Sequence, residues 1–402
     1  MNLKNSIKRR VIALLFLSSL VVVFSRCKKD SLEEPQLDPQ SVALATGHSP
    51  DSSVIPNDIK STGLAADGII SSSYYLVNSL PAGYVKDGSK DYTSYVQAAI
   101  SKYSNIVFPA FPILVNYTGI NIGSNKVITF PAGSQIRLKG TSYSTYNIFS
   151  ISGASNVTLY NPVIVGDRST HTGTGGEAGV GIGIRGSSNV TLYNAKVSNC
   201  WGDGIYIGQS GGTVNCKNIT IKGATLSKNR RDGISIIAVD GLLMDDVYAG
   251  YSDGTAPMSG INIEPNNTAC QIKNVRINNP RTEYNGSNGI QIGTKRMIGS
   301  TDKTTDITVT NHVDIGSPRY AFKMMCNPTT TGKQYGLITI TNPTWNKTGT
   351  DLPLYLSSNQ ANFKSAVSSP AVTKTSGTVL SYSSVYTVLM TQATRAKLSV
   401  TN

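Results

Sequence analysis

The sequence predicts an all-β solenoid, chiefly because one short run recurs five times between residues 179 and 295. Each run begins with Gly-Ile and carries a second Ile two residues later, which is the period of a strand. The runs start 23, 29, 27 and 29 residues apart, and self-similarity at such a period is typical of stacked repeats. The runs start at Gly181, Gly204, Gly233, Gly260 and Gly289.

A second repeated phrase, which opens with Asn or Asp and then alternates hydrophobic residues, indicates a further strand in each repeat. Two or more strands per turn with Asn and Gly at the corners describe a right-handed parallel β-helix, whose hand follows the general rule for parallel crossovers. The phrases start at Asn156, Asn189, Asn218, Asn274 and Asp306.

The isoleucines of the Gly-Ile runs predict the core. If each run is one rung, they stack into two buried columns, in which each Ile contributes roughly 1.5–3 kcal/mol. No rung can bury its Ile alone, so the rungs must stack. One column is Ile182, Ile205, Ile234, Ile261 and Ile290, and the other is Ile184, Ile207, Ile236, Ile263 and Ile292.

The ends of the solenoid are predicted from weaker signals. Residues 91–104 carry apolar side chains at helical intervals, and we expect one short helix that caps the N-terminal end, since an open end exposes core and unpaired backbone. The β-helix domain is expected to span residues 81–402. After residue 320 the pattern weakens, and the tail from Val372 is expected to form irregular last coils and edge strands.

The N-terminal segment predicts export. Residues 1–26 have a basic start and an apolar core from Val11 to Phe24, which is the length of a signal-peptide core. Cys27 follows directly, and the arrangement resembles a bacterial lipoprotein signal, in which this cysteine is lipidated. Residues 27–80 are polar and indicate a flexible tether. We therefore expect a membrane-anchored lipoprotein on the periplasmic side or at the cell surface.

The net charge limits the kinds of binding partner, and the cysteine spacing indicates the state of the thiols. The formal net charge is +13, and five of the positive charges precede Cys27. A positive surplus suits an acidic polymer or an anionic surface, although a solvated surface explains it equally well. Nucleic acid is not expected, because there is no basic run past residue 29. Buried free thiols are expected for the remaining cysteines, which lack CxxC spacing, at Cys200, Cys216, Cys270 and Cys326.

Several phrases resemble the pectate-lyase-like β-helix proteins, which include polysaccharide lyases, glycoside hydrolases and phage tailspike depolymerases. They are Lys86-Asp-Gly-Ser-Lys-Asp-Tyr, Phe130-Pro-Ala-Gly-Ser, Cys200-Trp-Gly-Asp-Gly-Ile-Tyr-Ile-Gly and Asn229-Arg-Arg-Asp-Gly-Ile-Ser-Ile. The resemblance implies a pectin-lyase-like solenoid with an N-terminal helical cap and a polysaccharide partner. It does not imply one chemistry, because one scaffold supports many.

Two aspartates that precede Gly-Ile runs are candidates for glycoside cleavage. Asp203 would lie over Asp232 on adjacent rungs about 4.8 Å apart. Glycoside hydrolysis needs one carboxyl group that donates a proton and one that stays charged. At about 5 Å and an effective dielectric near 20 the two charges repel by about 3 kcal/mol, which keeps one of them protonated near pH 6. Asp-Gly is also ordinary turn chemistry, so both residues can be purely structural.

Elimination needs a group that neutralises a uronate carboxylate, together with a base and an acid. Arg230 or Arg231 can neutralise it bidentately, and Tyr206 or His171 can serve as base or acid. Calcium is a further candidate neutraliser, held by carboxylate oxygens. No other cofactor is expected. The candidate catalytic residues are Asp203, Asp232, Tyr206, Arg231, Arg230, Glu264 and His171, and the calcium ligands would be Asp203, Asp232 and Glu264.

A cleft along the outer wall is expected to bind the sugar chain. The loop from Asp167 to Glu177 can fold over this wall, and outward aromatic rings can stack on sugars. We expect a polysaccharide lyase acting on an anionic polymer, with a glycoside hydrolase and a non-catalytic glycan-binding or adhesive protein as the alternatives. The oligomeric state is not predicted. The candidate substrate-binding residues are Trp201, Asp167, Arg168, Glu177, Asn262 and Gln291.

Overall fold

A computed structural model describes residues 73–326, 331–346, 352–356, 363–391 and 398–402, which form three long parallel sheets. Each turn of the chain adds one strand to sheet A, then one to sheet B and one to sheet C. Every strand pairs in parallel with its equivalents in the adjacent turns. This is the parallel β-helix that the repeats predicted.

The described strands are grouped here by sheet. Sheet A contains Tyr74–Tyr75, Asn105–Val107, Lys126–Thr129, Ser155–Tyr160, Ser188–Tyr193, Cys216–Lys222, Val239–Asp245, Ile272–Asn278, Lys303–Thr310, Gln334–Thr341, Phe363–Ser368 and Leu398–Thr401. Sheet B contains Pro112–Val115, Gln135–Leu138, Val163–Val165, Lys196–Ser198, Thr225–Ser227, Tyr248–Gly250, Arg281–Glu283, Val313–Ile315, Thr344–Asn346 and Ala371–Thr373. Sheet C contains Ile120–Asn121, Thr145–Ser152, Ala178–Arg185, Ile205–Gly208, Ile234–Ile236, Ile261–Ile263, Asn288–Ile292, Tyr320–Met324 and Leu354–Leu356.

The two predicted isoleucine columns are confirmed in sheet C. Ile182 is in register with Ile205, and the pairing continues through the next three rungs of both columns. All ten side chains are fully buried. Beyond residue 320 the columns continue with Phe322 and Met324, so the rungs persist there although the Gly-Ile pattern does not.

Asparagines fix the corners of the coil. Asn156, Asn189 and Asn218 all have φ between 52° and 58°, the left-handed region that Asn tolerates better than most residues. Their side chains form a ladder along the solenoid axis, in which the Nδ2 of Asn189 donates to Asn156 (3.1 Å) and that of Asn218 donates to Asn189 (3.2 Å). Gly241 occupies the next position of the ladder, at φ +86°.

The N-terminal end is capped as predicted. Helix α1 (Thr93–Lys102) buries Val96, Ala99 and Ile100 against the first coil. The Oδ1 of Asp91 accepts from the backbone N–H of Thr93 (2.9 Å) and so satisfies one free donor of the first turn. The first coil begins at strand Tyr74–Tyr75, ahead of the expected boundary at residue 81.

The C-terminal tail contains a helix that the sequence analysis did not predict. Helix α2 (Tyr382–Met390) buries Val385 and Leu389, and the Oγ of Ser381 accepts from the N–H of Ser384 (3.3 Å) as its N-cap. The expectation of coils and edge strands was wrong here, because Val, Thr and Tyr favour strands by propensity while their spacing in this segment is helical. Two short 3₁₀ helices, Leu76–Ser79 and Lys295–Met297, complete the described helices.

The predicted signal peptide, the lipidation site Cys27 and most of the tether lie outside the described residues. None of the helices in the described part of the chain is long and apolar enough to cross a membrane.

A polar network interrupts the apolar core between sheets B and C. Trp345 donates its Nε1–H to Nδ1 of His312 (3.1 Å), so the proton of the neutral imidazole lies on Nε2, which faces Thr282 Oγ1 at 2.8 Å. Thr282 and Ser317 donate to Oδ1 of Asp314 at 2.6 and 2.7 Å, whereas its Oδ2 has no hydrogen-bond partner among the described residues. Burial raises the pKa of Asp314 to about 7 and lowers that of His312 to about 3. Both groups are therefore uncharged in mildly acidic solution.

We expect Asn189→Ala to lower the free energy of unfolding by about 1–2 kcal/mol, because Ala loses the ladder and is strained at a left-handed φ. Asn189→Gly is the matched control, since Gly loses the same hydrogen bonds without strain. Urea denaturation would measure both. An equal loss for the two variants would show that backbone strain is not what the asparagine relieves.

Asp314 makes stability depend on pH. Its pKa is raised on folding, so the folded state holds a proton that the unfolded state releases above about pH 4. The stability is then full below that pH and falls as the pH rises towards 7, where the buried carboxyl ionises. We expect the urea midpoint of the wild type to drop between pH 5 and pH 8, and Asp314→Asn to reduce that drop. Asp245→Asn, a half-buried strand residue, is the control; if it flattens the profile equally, Asp314 is not the source.

Candidate functional site

A cleft of about 500 Å³ lies on the outer face of sheet C and is the candidate site. Loops that connect sheet B to sheet C form one wall, which carries Glu177 and Pro257. Loops that connect sheet C to sheet A form the other wall, which carries Asn266 and Arg296. The cleft is therefore a product of the solenoid, because successive rungs stack loops of the same type on each side.

Arg231 is the central cation of the site. Its Nη1 lies 3.1 Å from both carboxylate oxygens of Asp203, 3.0 Å from Oδ2 of Asp232 and 3.0 Å from the hydroxyl of Ser235. Its Nε lies 3.6 Å from Oε2 of Glu177. The sequence analysis predicted that Asp203 and Asp232 lie together, and the structure places the guanidinium against both.

Asp232 lies behind the cleft rather than in it, and its side chain is fully buried. Besides Arg231, its carboxylate accepts from the N–H of Ser259 (2.8 Å), the hydroxyl of Ser235 (3.0 Å) and the amide of Asn262 (3.1 Å). Burial, followed by the nearby charge of Asp203, raises its pKa. No polar atom of a substrate in the cleft can reach it without rearrangement, so this geometry suits positioning rather than catalysis.

Asp203 is the buried carboxyl group that does line the cleft. Burial raises the pKa of Asp203, and the positive charge of Arg231 partly opposes this shift. Its Oδ1 also accepts from the backbone N–H of Asp232 at 3.1 Å, which fixes the carboxyl plane. Asp203 is therefore held in a defined orientation at the edge of the cleft.

Glu264 lines the cleft at the end of strand Ile261–Ile263 and contacts one amide donor and one more distant arginine. Its Oε2 accepts from the amide of Asn262 (3.3 Å), and its Oε1 lies 4.0 Å from Nη1 of Arg296. The amide of Gln291 in turn donates to Oδ1 of Asn262 (3.3 Å). Asn262 faces away from the core as expected, but it is fully buried beneath these groups, so its position does not support direct contact with a substrate.

Trp201 cannot offer a ring face to a sugar, contrary to expectation. His171 stacks on one face with ring centroids 3.8 Å apart, and the guanidinium of Arg230 lies 4.0 Å from the ring centroid. The indole N–H donates to the carbonyl of Gly175 (3.1 Å), and Arg230 donates to that of Gly176 (2.7 Å). Trp201 and Arg230 thus anchor the loop that carries Glu177 into the cleft.

His171 and Asp167 form a separate buried pair. His171 Nδ1 lies 2.8 Å from Oδ2 of Asp167, whose Oδ1 accepts from the hydroxyl of Tyr146. Both side chains of the pair are fully buried, and neither lines the cleft. The hypotheses that His171 is a catalytic base and that Asp167 binds substrate are therefore not supported by their positions. Arg168 also points elsewhere, to Asp253 at 2.6 Å.

Tyr206 lies in the cleft as expected, and Arg185 lies over it. The guanidinium carbon is 3.9 Å from the ring centroid, which is a cation–π geometry. The sequence analysis did not single out Arg185 or Arg296 as site residues. Arg185 directly follows Ile184, and this outward position next to a buried column could have indicated it. Arg296 lies in a segment without any repeat, so no sequence pattern indicated it.

The predicted calcium site is not formed by these side chains, since Arg231 fills the position where a cation would bridge Asp203 and Asp232. Among the described residues no group of three or more His, Cys, Asp or Glu side chains is arranged to hold a metal ion. The four cysteines of the described chain are buried free thiols, as expected.

We expect Arg231→Met to lower the free energy of unfolding by about 3–5 kcal/mol, because it leaves two buried carboxyl groups without their cation. The loss should be larger at pH 8 than at pH 5, where the carboxyl groups can take up protons. Arg230→Met is the control, since it removes a guanidinium that is not bound to a buried carboxylate. Equal losses for the two variants in urea denaturation at both pH values would contradict this account.

Comparison with known proteins agrees with the fold. Residues 102–249 match the family model of the right handed beta helix region. The uncharacterized protein YclG of Bacillus subtilis (strain 168) is 29% identical over 221 residues, which are 47% of this chain and 38% of the relative. The chain thus spans well under half the length of that curated relative.

Two solved structures share the architecture at low sequence identity. The A-module of the mannuronan C-5 epimerase AlgE4 from Azotobacter vinelandii has a TM-score of 0.53 and 14% identity, over 76% of this chain and 89% of that chain. The tailspike gp49 of Acinetobacter baumannii bacteriophage Fri1, a capsular polysaccharide depolymerase, has a TM-score of 0.51 and 12% identity, over 83% and 63%. The stacked sheets, the confirmed isoleucine columns and these similarities identify the chain as a right-handed parallel β-helix protein.

Proposed function

We propose that the cleft on sheet C binds a polysaccharide chain and hydrolyses a glycosidic bond. The cleft is open along the solenoid axis and has the volume of a typical small-molecule site, which suits a few sugar units of a longer chain. The two structural relatives act, by their names, on mannuronan and on a capsular polysaccharide. These likenesses support a polysaccharide as the ligand but do not select the reaction.

The observation that favours hydrolysis is that two carboxyl groups of the cleft lie in contrasting environments. Asp203 is buried, and burial raises its pKa against the opposing charge of Arg231, so we assign it the role of proton donor. Glu264 is partly exposed, accepts a hydrogen bond from the Asn262 amide and lies 4.0 Å from Arg296. Carboxyl groups with such different surroundings are suited to acid and base roles.

In the proposed reaction Asp203 transfers its proton to the glycosidic oxygen while the bond from that oxygen to the anomeric carbon breaks. Glu264 accepts a proton from the water molecule that attacks the anomeric carbon. The products are a new reducing end and a free hydroxyl, and the two carboxyl groups return to their starting states by exchange with solvent. Removing the proton of Asp203 at high pH therefore stops the reaction.

Arg231 and Asp232 are proposed as positioning residues. Arg231 holds Asp203 through Nη1 and faces Glu177 through Nε, so it sets the distance between the floor and one wall of the cleft. Asp232 contacts the same Nη1 at 3.0 Å and shares the Asn262 amide with Glu264. One hydrogen-bonded network thus joins the acid to the base.

Elimination is the second candidate, and Tyr206 is the observation that favours it. A phenol beside the Arg185 guanidinium at 3.9 Å can act as a base, and either Arg185 or Arg296 can pair with a uronate carboxylate. In that case the product carries an unsaturated uronate and lacks the water that hydrolysis adds. The signal peptide and lipidated Cys27 predicted from the sequence would place either enzyme where extracellular polysaccharides occur.

We expect Asp203→Asn to lower the cleavage rate by about 10²–10⁴-fold, because the amide cannot donate the proton. The wild-type rate should decline as the pH rises through the raised pKa of Asp203. Tyr206→Phe should retain most of the activity if the reaction is hydrolysis. The measurement is the mass and ultraviolet absorbance of products from a panel of neutral and acidic polysaccharides.

Asp253→Asn is the control, since this aspartate is exposed and lies outside the cleft. Unsaturated products that are lost in Tyr206→Phe and kept in Asp203→Asn would replace hydrolysis with elimination. Retention of a polysaccharide without any product would show that the protein only binds glycans, and the catalytic proposal would be abandoned.

A further inference from the structure

A second groove lies at the N-terminal end of the solenoid, outside the cleft. It has a volume of about 370 Å³ and is lined by Asp91, Asn116, Tyr117, Thr118 and Lys139. A cavity of about 280 Å³ adjoins it and shares Asn116 and Thr118. The two together make an open surface groove lined by hydroxyl, amide and charged groups and by one aromatic ring.

The floor of this groove is rigid. Asn116 donates from Nδ2 to Oδ2 of Asp91 (2.8 Å), while its Oδ1 accepts from the N–H (2.9 Å) and the hydroxyl (2.7 Å) of Thr118. Its own N–H donates to Oγ1 of Thr93 at the start of helix α1 (2.8 Å). A ligand would thus meet polar groups that are already fixed, which reduces the entropy lost on binding.

Tyr117 supplies an exposed aromatic surface in the groove. It stacks on Tyr143 of the next coil, with ring centroids 3.9 Å apart and planes 16° apart. The two side chains are 37% and 52% exposed. Each ring restrains the other, so Tyr117 forms a preorganised platform on which the C–H face of a sugar ring can stack.

The charges of the groove are balanced. Asp91 and Lys139 are the ionisable groups of opposite sign that line it, and the Lys139 ammonium has no hydrogen-bond partner in the described residues. Asn116 retains one amide hydrogen that makes no hydrogen bond within this part of the chain. These donors and the Tyr117 ring match the hydroxyl groups and apolar face of an uncharged sugar.

We propose that this groove is a second carbohydrate-binding site, which takes an uncharged stretch of the polysaccharide that the sheet C cleft cleaves; this rests on the proposed function. Most of the groove is formed by the loops that connect sheet B to sheet C after strands Pro112–Val115 and Gln135–Leu138, and Glu177 of the cleft ends the equivalent loop of the next coil. Coils are about 4.8 Å apart, so Tyr117, two coils before Glu177, lies roughly 10 Å along the axis from the cleft wall. One long chain can occupy both sites, whereas a short oligosaccharide cannot.

The test is affinity electrophoresis of the full chain in gels that contain xylan, galactan, β-glucan, pectate or alginate. All variants carry Asp203→Asn, so that cleavage does not alter the gel. Tyr117→Ala should weaken the retention on a neutral polysaccharide about three- to tenfold, which is the value of one aromatic contact. Tyr160→Ala is the matched control, because Tyr160 is 40% exposed and stacks on Tyr193 at 5.1 Å on sheet A.

The parent protein carries Asp203→Asn alone. Urea midpoints equal to that of the parent would show that the variants fold. Loss of retention in Tyr117→Ala but not in Tyr160→Ala supports the second site. Equal retention in all three proteins, equal losses in the two variants, or no retention of the parent on any polymer overturns it. In the active enzyme, which keeps Asp203, Tyr117→Ala should leave the cleavage of short oligosaccharides unchanged. If no polymer is cleaved but Tyr117→Ala still weakens retention, the proposed reaction fails while the second site stands.

Discussion

The in-register stacking of isoleucines in sheet C is the constraint on which the rest of the molecule depends. Because each Ile lies directly over its equivalent, the residue between them must face away from the core at the same height on every rung. Tyr206, Ser235 and Asn262 therefore form one outer column, and the loops before and after each strand stack into two walls. The cleft depends on this register, because a shift of one residue would turn this column inward and separate its members.

The polar cluster around Arg231 lowers the stability that burial would otherwise give to this part of the fold. Two carboxyl groups and a guanidinium are removed from water, and hydrophobic replacements of a buried ion pair are often no less stable. Burial raises the pKa values of both aspartates, so their charged forms are costly even beside the guanidinium. A network that costs stability and opens onto a cleft is more readily explained by a role in binding or chemistry than by structure alone.

The sequence determined the rungs but not the neighbours of the polar side chains. Gly-Ile spacing was sufficient to align ten isoleucines and to bring Asp203 near Asp232, since both follow from a period of two and a fixed rise between coils. It did not show that Trp201 is covered by His171 and Arg230, because these residues come from loops of different length on three coils. Loop conformation depends on tertiary contacts that no periodic pattern records, and for the same reason Arg296 went unnoticed.

The overall charge of the chain is a poor guide to the cleft. The formal charge is +13, yet the cleft is lined by Arg185, Arg231 and Arg296 against Glu177, Asp203 and Glu264. Their formal charges balance, and the buried carboxyl of Asp232 lies directly behind them. The positive surplus must therefore be carried by other parts of the molecule, where it can act on association rather than on selection at the reacting bond. An anionic substrate would have to be recognised by individual arginines placed along the chain, and not by a general positive potential in the cleft.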